Sequence, residues 1–180
     1  MRDLLDGEGE RATRVREDSR LLVFLDGVED PHNLGAILRS AEAAGARGVV
    51  IPARRSAHLT AAVVRASAGA ALLLPTCMVP NLAEALRQAR EAGYWLVGLD
   101  PLAPQALAPA PSGQAVGLVV GGEGAGLRRL VAERCDTLAR LPMRGRVGSL
   151  NASVAAAVGI YRLCERDLFI SSAVDSGKSG

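Results

Sequence analysis

A group of small polar side chains lies near the C-terminal end of the sequence, between a short apolar run and a long apolar helical pattern. Ser149, Asn151 and Ser153 place two hydroxyls and an amide where that helix begins. The first turn of a helix leaves backbone N–H groups unpaired, and these groups favour an electron-rich ligand. Serine and asparagine are also among the most common helix N-caps. The segment alone therefore allows two interpretations, a helix cap and a ligand site.

Two polar residues follow an earlier apolar run, on a helical pattern that begins a few residues after Asp26. Asn33 can cap this helix, and Arg39 lies six residues further along. At ~100° per residue, the two side chains point about 120° apart around the helix axis, so both can border one cleft. An exposed ion pair with Glu42 is the alternative role for the arginine.

A glycine-rich loop at 121–127 follows another apolar run and opens a further helical pattern. Its glycines permit positive φ angles and let backbone amides approach a ligand closely. The spacing does not match the G-x-G-x-x-G pattern of dinucleotide-binding folds, so a nucleotide-binding oxidoreductase is the weaker alternative. Glu123 would repel a pyrophosphate bound over the same amides. This carboxylate instead suits a cationic or hydroxyl-bearing ligand, or a contact with the loop that carries Asn33.

Apolar runs and helical patterns alternate along the chain. The runs predict strands and the patterns predict helices. Because the runs lack polar alternation, we expect an α/β fold with a parallel sheet of about six strands, covered by helices on both faces. Ligands in such sheets bind beyond the carboxyl ends of the strands, where the three polar loops lie. The predicted strands are 21–25, 48–51, 71–74, 94–99, 115–120 and 137–141, and the helices are 34–44, 59–66, 82–92, 127–135 and 151–169.

Length and composition predict one compact domain. The chain has 180 residues, of which 49% are hydrophobic and 22% charged, enough for a single well-filled core. We expect this domain at 21–170, after a flexible lead-in or linker remnant at 1–20 and before a disordered tail at 171–180. No apolar stretch reaches the ~18 residues of a membrane span, and the acidic N-terminus does not resemble a signal peptide, so we expect a cytoplasmic protein.

The cysteines do not predict a disulfide framework or a metal site. Cys77, Cys135 and Cys164 are far apart, and each stands in apolar surroundings. Neither pairing nor metal-ligand spacing is indicated, so we expect buried thiols and no metal.

The positive charge of the chain is almost all arginine, although the net charge is only +2. Several arginines lie near predicted strand ends or loops, where a basic rim could follow a phosphate backbone. A solvated surface is the alternative. These residues are Arg54, Arg55, Arg128, Arg129, Arg140, Arg144 and Arg146.

Taken in order, the three loops resemble a known family. Asn33 and Arg39 come first, Gly-Gly-Glu-Gly-x-Gly-Leu follows at 121–127, and Leu-Pro-Met-x-Gly-x-Val-x-Ser-Leu-Asn-x-Ser-Val-Ala follows at 141–155. This order and placement resemble the SpoU family of RNA ribose 2′-O-methyltransferases in the SPOUT superfamily, over 21–166. The resemblance implies a C-terminal trefoil knot, a homodimer, an RNA substrate, and S-adenosylmethionine as methyl donor, released as S-adenosylhomocysteine. Chains are unknotted as a rule, so the knot rests on the resemblance alone.

The resemblance also assigns site residues. It implies a polar active-site set of Asn33, Arg39, Glu123, Ser149 and Asn151, and a cofactor-binding set of Gly121, Gly122, Gly126, Leu141, Met143 and Leu150. A guanidinium stays protonated in proteins, so we expect Arg39 to orient a phosphate and stabilise developing charge on the 2′-oxygen, not to act as a base.

The substrate is indicated by two further stretches, 51–70 and 93–100. They resemble the subgroup that modifies a guanosine of 23S ribosomal RNA more than the tRNA-modifying subgroup, which remains an alternative. Members of the ribosomal subgroup usually carry an additional N-terminal RNA-binding domain, so we expect either a catalytic fragment or RNA binding through the dimer surface and arginine rim. A non-catalytic RNA-binding protein is a further alternative, although Arg39, Glu123 and Asn151 are all retained.

Overall fold

The computed structural model describes residues 20–124 and 126–170, together with Met1 and Leu5. Most of the predicted lead-in at 1–20 and the whole predicted tail at 171–180 lie outside the described residues.

Six parallel strands form one sheet, in the order β3-β2-β1-β5-β4-β6. The predicted α/β class with a six-stranded parallel sheet is confirmed. Because all the strands run the same way, their carboxyl ends meet at one edge of the sheet. The strands are β1 (Leu21–Asp26), β2 (Gly48–Pro52), β3 (Thr76–Val79), β4 (Trp95–Leu99), β5 (Val116–Gly121) and β6 (Thr137–Ala139).

Six helices and a terminal π-helical turn at Arg166–Ile170 accompany the sheet within the described part of the chain. None of the helices found in this part is long and apolar enough to cross a membrane. The helices are α1 (Pro31–Ala43), α2 (Ala61–Ala66), α3 (Ala70–Leu73), α4 (Leu82–Glu91), α5 (Arg129–Ala132) and α6 (Ala152–Leu163).

The residues of β1 divide between two apolar clusters, one on each face of the sheet. Leu21, Val23 and Leu25 pack with residues of α1 and α6. Leu22 and Phe24 pack with residues of α4 and α5. Successive strand residues point to opposite faces, and every residue of β1 is buried. This explains why β1 is apolar from Leu21 to Leu25 and why both faces of the sheet need covering helices.

The strand predicted at 71–74 is wrong. One turn of helix, α3, occupies this position, and β3 begins only at Thr76. Alanine and leucine are strong helix formers, whereas threonine and valine favour strands. Leu72 and Leu73 are 61% and 57% exposed, and of this run only Leu74 is buried in the core.

Three C-terminal elements are shorter than predicted. The helix expected at 127–135 is a single turn, α5, and β6 ends at Ala139. The helix expected at 151–169 ends at Leu163 and is followed by the π-helical turn. Apolar residues recur beyond each end, at Cys135, Leu141 and Leu168, and the prediction extended each element to include them.

A proline-rich loop at 101–112 is tied to the end of β6 and to the end of α6. Leu107 N–H donates to the carbonyl of Arg140 at 2.8 Å, and Arg140 N–H donates to the carbonyl of Gln105 at 2.9 Å. Ala110 N–H donates to the carbonyl of Leu163 at 3.1 Å. The trefoil knot implied by the resemblance stays a prediction.

The three cysteines are free and partly buried, not fully buried as expected. Burial raises the pKa of Cys135 to about 12 and that of Cys164 to about 11. Both groups are therefore protonated thiols at neutral pH. Among the described residues, no group of three or more His, Cys, Asp and Glu side chains is placed to hold a metal ion.

Helix α1, which carries two of the predicted site residues, packs closely on α2 at Gly35. A Cβ atom at Gly35 would lie 2.5 Å from the Cβ of Ala66 and 3.0 Å from its carbonyl carbon. We expect Gly35→Ala to lower the free energy of unfolding by about 1–3 kcal/mol through overpacking, measured by urea denaturation. Gly159→Ala in α6 is the matched control, because its Cβ would meet only the side chains of Leu118 and Leu99, at 3.1 Å. Equal stability of the two variants would contradict the close packing of α1 on α2.

Candidate active site

The loop between β5 and α5 is fastened to the end of β1 by an ion pair between a half-exposed arginine and a buried carboxylate. The Asp26 side chain is completely buried, and Arg128 donates to it from both its backbone N–H, at 2.8 Å, and its Nε, at 2.6 Å. The backbone N–H of Gly122 donates to the carbonyl of Asp26 at 2.8 Å. A buried carboxylate is costly unless it is paired and hydrogen-bonded. This arrangement therefore fixes where the glycine-rich loop begins and ends.

Two glycines allow the loop to fold this tightly. A Cβ at Gly122 would lie 2.2 Å from the carbonyl oxygen of Gly27, and one at Gly121 would lie 2.3 Å from the carbonyl carbon of Gly126. Neither position has room for a side chain. The glycines thus allow backbone segments of the protein to approach each other closely, as the sequence predicted they would allow toward a ligand.

Three polar side chains from the three predicted loops form one hydrogen-bonded cluster. The Nδ2 of Asn33 donates to Oε1 of Glu123 at 3.1 Å. The Nδ2 of Asn151 donates to Oδ1 of Asn33 at 3.1 Å and also to Oε1 of Glu123. The contact between Glu123 and the loop of Asn33, one of the two alternatives left open by the sequence, is present. We call these three residues the amide–carboxylate cluster.

Helix α1 is capped by Asp30, so the prediction that Asn33 caps it is wrong. A side-chain oxygen of Asp30 accepts from the backbone N–H of His32 at 3.0 Å, and Pro31 occupies the first helical position. Proline suits this position because it lacks the N–H that a helix start leaves unpaired. The helix consequently begins two residues before Asn33, whose buried side chain, 8% exposed, is free to join the cluster.

Asn151 serves as a helix cap and as a member of the cluster. Its Oδ1 accepts from the backbone N–H groups of Ser153, at 2.9 Å, and Val154, at 3.4 Å, which confirms the predicted N-cap of α6. Its Nδ2 donates to Asn33 and Glu123. A side-chain amide has one acceptor and two donors, so the two roles use different atoms.

An open cleft lies beside the cluster, at the carboxyl edge of the sheet. All six residues that the resemblance assigns to the cofactor line it, as do Glu123 and Ser149. Its walls combine apolar side chains with backbone polar groups. The apolar residues that line it are Leu99, Val120, Leu141, Met143, Leu150, Ala152 and Ala155.

The segment 141–150 along this cleft makes no backbone–backbone hydrogen bond with any other described residue. Nine of its ten residues are exposed, the exception being Leu141. Backbone N–H and C=O groups are strong hydrogen-bonding groups that are nearly always paired when covered. The segment therefore offers a run of backbone donors and acceptors to whatever covers it.

A fourth loop, which the sequence did not indicate as part of the site, also contributes to the cleft. Leu99, the last residue of β4, lines the same space, as do Asp100 and Pro101, which follow it. The signal was present in the sequence, because the rule that ligands bind beyond strand ends applies to β4 as well. The order of strands, which puts β4 next to β5, could not be read from the chain.

Arg39 is not part of the cluster. It lies on the exposed side of α1 and lines neither the cleft nor the cavity that contains Asn33. The ion pair with Glu42, which was the alternative role for this arginine, does not form. Within the described part of the chain its guanidinium pairs with no carboxylate, which leaves it available to an anionic ligand.

The arginines of the predicted basic rim fall into two groups. Arg128 pairs with Asp26, Arg129 pairs with Glu133, and Arg140 donates to the carbonyl of Ala103 at 2.8 Å. The second group is exposed and makes no ion pair with a described residue. It comprises Arg54, Arg55, Arg144 and Arg146.

Known proteins resemble this chain in sequence and in structure. A model of the SpoU rRNA Methylase family matches residues 20–161. A 23S rRNA (guanosine-2'-O-)-methyltransferase RlmB of Xylella fastidiosa is 48% identical over 161 residues, covering 89% of this chain and 61% of that protein. The chain spans about three fifths of the length of the curated relatives it matches.

Solved structures of methyltransferases also resemble this chain. The SpoU methyltransferase AviRb from Streptomyces viridochromogenes superposes with a TM-score of 0.77 at 32% identity, over 88% of this chain and 62% of that chain. An AdoMet-bound rRNA methyltransferase from Sinorhizobium meliloti gives a TM-score of 0.76 at 32% identity, over 83% of this chain and 57% of that chain. Because the family match extends over most of its length, the chain belongs to the SpoU rRNA Methylase family.

Proposed function

We propose that the protein transfers the methyl group of S-adenosylmethionine to a ribose 2′-hydroxyl of RNA, in a guanosine of 23S ribosomal RNA. The observation that carries this proposal is the amide–carboxylate cluster, which joins three separate loops beside one cleft. Relatives at 47–48% identity are named 23S rRNA (guanosine-2'-O-)-methyltransferases, and this favours ribosomal RNA over tRNA. We also propose that the protein works in the cytoplasm, where the 23S rRNA of the bacteria that carry its relatives is found.

The cleft suits an adenosyl cofactor. Leu99, Leu141 and Leu150 offer apolar surface to a purine ring, and the unpaired backbone of 141–150 offers donors and acceptors to its polar edges. Gly121, Gly122, Gly126 and Met143 complete the proposed binding set. When bound, the cofactor would supply an electrophilic sulfonium methyl group: an O–C bond to the 2′-oxygen would form as the C–S bond breaks, the hydroxyl proton would pass to solvent, and S-adenosylhomocysteine would leave.

The residues of the cluster position the ribose. Both amides that contact Glu123 donate to its Oε1, while its Oε2 accepts no hydrogen bond from a described residue. That oxygen is available to a ribose hydroxyl. Ser149 also lines the cleft, and its hydroxyl makes no hydrogen bond with a described residue. Holding the 2′-oxygen in line with the methyl group is the main contribution expected of such a site, because alignment alone accelerates reactions by orders of magnitude.

Arg39 provides the positive charge. A neutral hydroxyl is a poor nucleophile, so negative charge that develops on the 2′-oxygen must be stabilised. We infer that Arg39, on the same helix as Asn33 but outside the cleft, contacts the phosphate of the target nucleotide, and that the bound RNA brings this oxygen within reach of its charge. Its lack of a carboxylate partner within the described residues leaves its charge free for this purpose.

Methyl transfer is tested with tritiated S-adenosylmethionine, unmodified 23S rRNA and unmodified tRNA, followed by mapping of the labelled ribose. We expect label on one guanosine of 23S rRNA and none on tRNA.

We expect Arg39→Lys to lower kcat at least about 100-fold with unchanged cofactor affinity, because a lysine cannot present the planar fork of donors. Arg65→Lys, at an exposed arginine of α2, is the matched control. Label on tRNA alone would contradict the substrate, and normal turnover of Arg39→Lys would contradict the role of Arg39.

A homodimer is the assembly that the surface of α6 favours. Val154, Val158 and Tyr161 recur at i, i+4 and i+7 and are 47%, 45% and 39% exposed. Leu150 and Val147, 37% and 68% exposed, extend this apolar stripe along the segment that lines the cleft. Apolar surface of this kind in a soluble protein marks an interface, and symmetric dimers are the most common assembly. A second copy placed here would also cover the unpaired backbone of 141–150.

Sedimentation velocity at micromolar concentration measures this assembly. We expect a species with twice the chain mass of 18.7 kDa, and we expect Val158→Asp to shift it to the monomer, because each copy would bring one buried charge into the interface. Leu102→Asp is the control, since Leu102 is exposed but lies in the loop after β4, away from the stripe. A monomeric wild-type protein would exclude the dimer.

A further inference from the structure

A second cavity lies on the other side of the amide–carboxylate cluster from the cleft. Its volume is about 510 Å³, within the usual range for small-ligand sites. The loop after β1, at 27–30, forms one wall, and the loop after β2 contributes Arg55 to another. Asn33 and Glu123 line it as well. A group attached to a ribose held at the cluster would therefore reach this cavity directly.

Arg55 has an unusual backbone conformation for an arginine. Its φ is +57°, in the left-handed region that glycine adopts freely and residues with a Cβ seldom do. Hydrogen bonds on both sides hold the loop in this shape, from Ala53 N–H to the carbonyl of Val79 at 2.8 Å and from Ala57 N–H to the carbonyl of Val28 at 2.9 Å. Non-glycine residues in sparsely populated conformations cluster at functional sites. The side chain, exposed and without an ion pair among the described residues, is free to bind a ligand.

The charges that line the cavity disfavour a phosphate. Asp26 is neutralised by Arg128, which leaves Arg55 facing the carboxylates of Glu29, Asp30 and Glu123. An anion would meet three negative groups and one positive group. A neutral ring that presents donors on one edge and acceptors on another fits this lining better.

Guanine has this distribution of polar groups. Its N1–H and 2-amino group are adjacent donors, and its O6 and N7 are adjacent acceptors. Arginine pairs with O6 and N7 through two hydrogen bonds, which is the most common specific contact to this base. One oxygen of Asp30 already accepts from His32 N–H, at 3.0 Å, whereas Glu29 is exposed and makes no ion pair with a described residue.

We propose that this cavity binds the base of the methylated guanosine, with Arg55 donating to O6 and N7 and Glu29 accepting from N1–H and the 2-amino group. The assignment rests on the proposed function, because the ribose of the same nucleotide must lie at the amide–carboxylate cluster. It makes Arg55 and Glu29 the residues that select guanosine over the other nucleosides.

Binding of short RNAs tests this assignment without requiring methyl transfer. Fluorescence anisotropy competition would compare UUGUU with the same RNA carrying adenosine, inosine or 7-deazaguanosine at the central position. Inosine lacks the 2-amino group, and 7-deazaguanosine lacks the N7 acceptor. We expect the wild-type protein to bind UUGUU at least about tenfold more tightly than each of the other three RNAs.

Two variants then separate the contacts. Arg55→Gly removes the side chain and suits the positive φ, so it should bind UUGUU and the 7-deazaguanosine RNA equally while still discriminating against inosine. Glu29→Ala should bind UUGUU and the inosine RNA equally while still discriminating against the 7-deazaguanosine RNA. Arg54→Ala, at the neighbouring exposed arginine that does not line the cavity, is the matched control and should discriminate as the wild type does.

Two results would overturn the assignment. One is a wild-type protein that binds all four RNAs equally. The other is an Arg55→Gly variant that loses the same affinity for all of them, which would indicate a phosphate contact. Failure of the proposed function is a separate result, because it would appear as absent methyl transfer. The binding experiment measures selectivity for guanosine whether or not methyl transfer occurs.

Discussion

The buried carboxylate of Asp26 is the group on which the geometry of the site depends. It stands at the end of the central strand β1 with no solvent exposure and is paired with both the backbone and the side chain of Arg128. Unpairing a buried carboxylate costs about 3–5 kcal/mol, so the loop that carries Arg128 is held firmly against β1. Glu123 belongs to that loop and is thereby kept within hydrogen-bonding reach of Asn33. An ion pair outside the amide–carboxylate cluster thus determines where the proposed active-site carboxylate lies.

The opposite side of the cleft is organised differently. Asn151 holds the start of α6 to the cluster, but the ten residues before it have no backbone–backbone hydrogen bonds with described residues. The rigid part of the site is therefore the part assigned to the ribose, and the cofactor would lie against a segment whose backbone groups are still available. Binding of the cofactor and of a second subunit would satisfy these groups, so each event should favour the other.

The sequence predicted the sheet well because strand burial leaves a strong local signal. The strands β1, β2, β4 and β5 lie within a residue or two of the predicted runs, since residues covered on both faces must be apolar. The strand predicted at 71–74 failed because a run of alanine and leucine is equally typical of helix. The three site loops were identified from their residue types. Their common role in one methyltransferase site was indicated by the resemblance to a family.

Long-range pairings were not accessible from the sequence. The bond between Asp26 and Arg128 joins residues 102 positions apart, and that between Asn33 and Asn151 joins residues 118 apart. Nothing in the local pattern of either residue specifies its partner. The same reason explains the missed contribution of Asp100, which depends on β4 lying beside β5. The missed cap at Asp30 is a local feature, because Asp30 and Pro31 start the helix three residues before the predicted start at 34.

The central claim is that Asn33, Glu123 and Asn151 act as one unit in positioning the ribose. A double-mutant cycle of Asn33→Ala and Asn151→Ser, with kcat/KM for methyl transfer to 23S rRNA as the readout, tests it most directly. Serine retains the ability to cap α6 while removing the amide donors. We expect each single variant to lose at least about 100-fold, and the double variant to lose no more than about threefold beyond the worse single variant. Losses that multiply, or a single variant with the wild-type value, would contradict the claim.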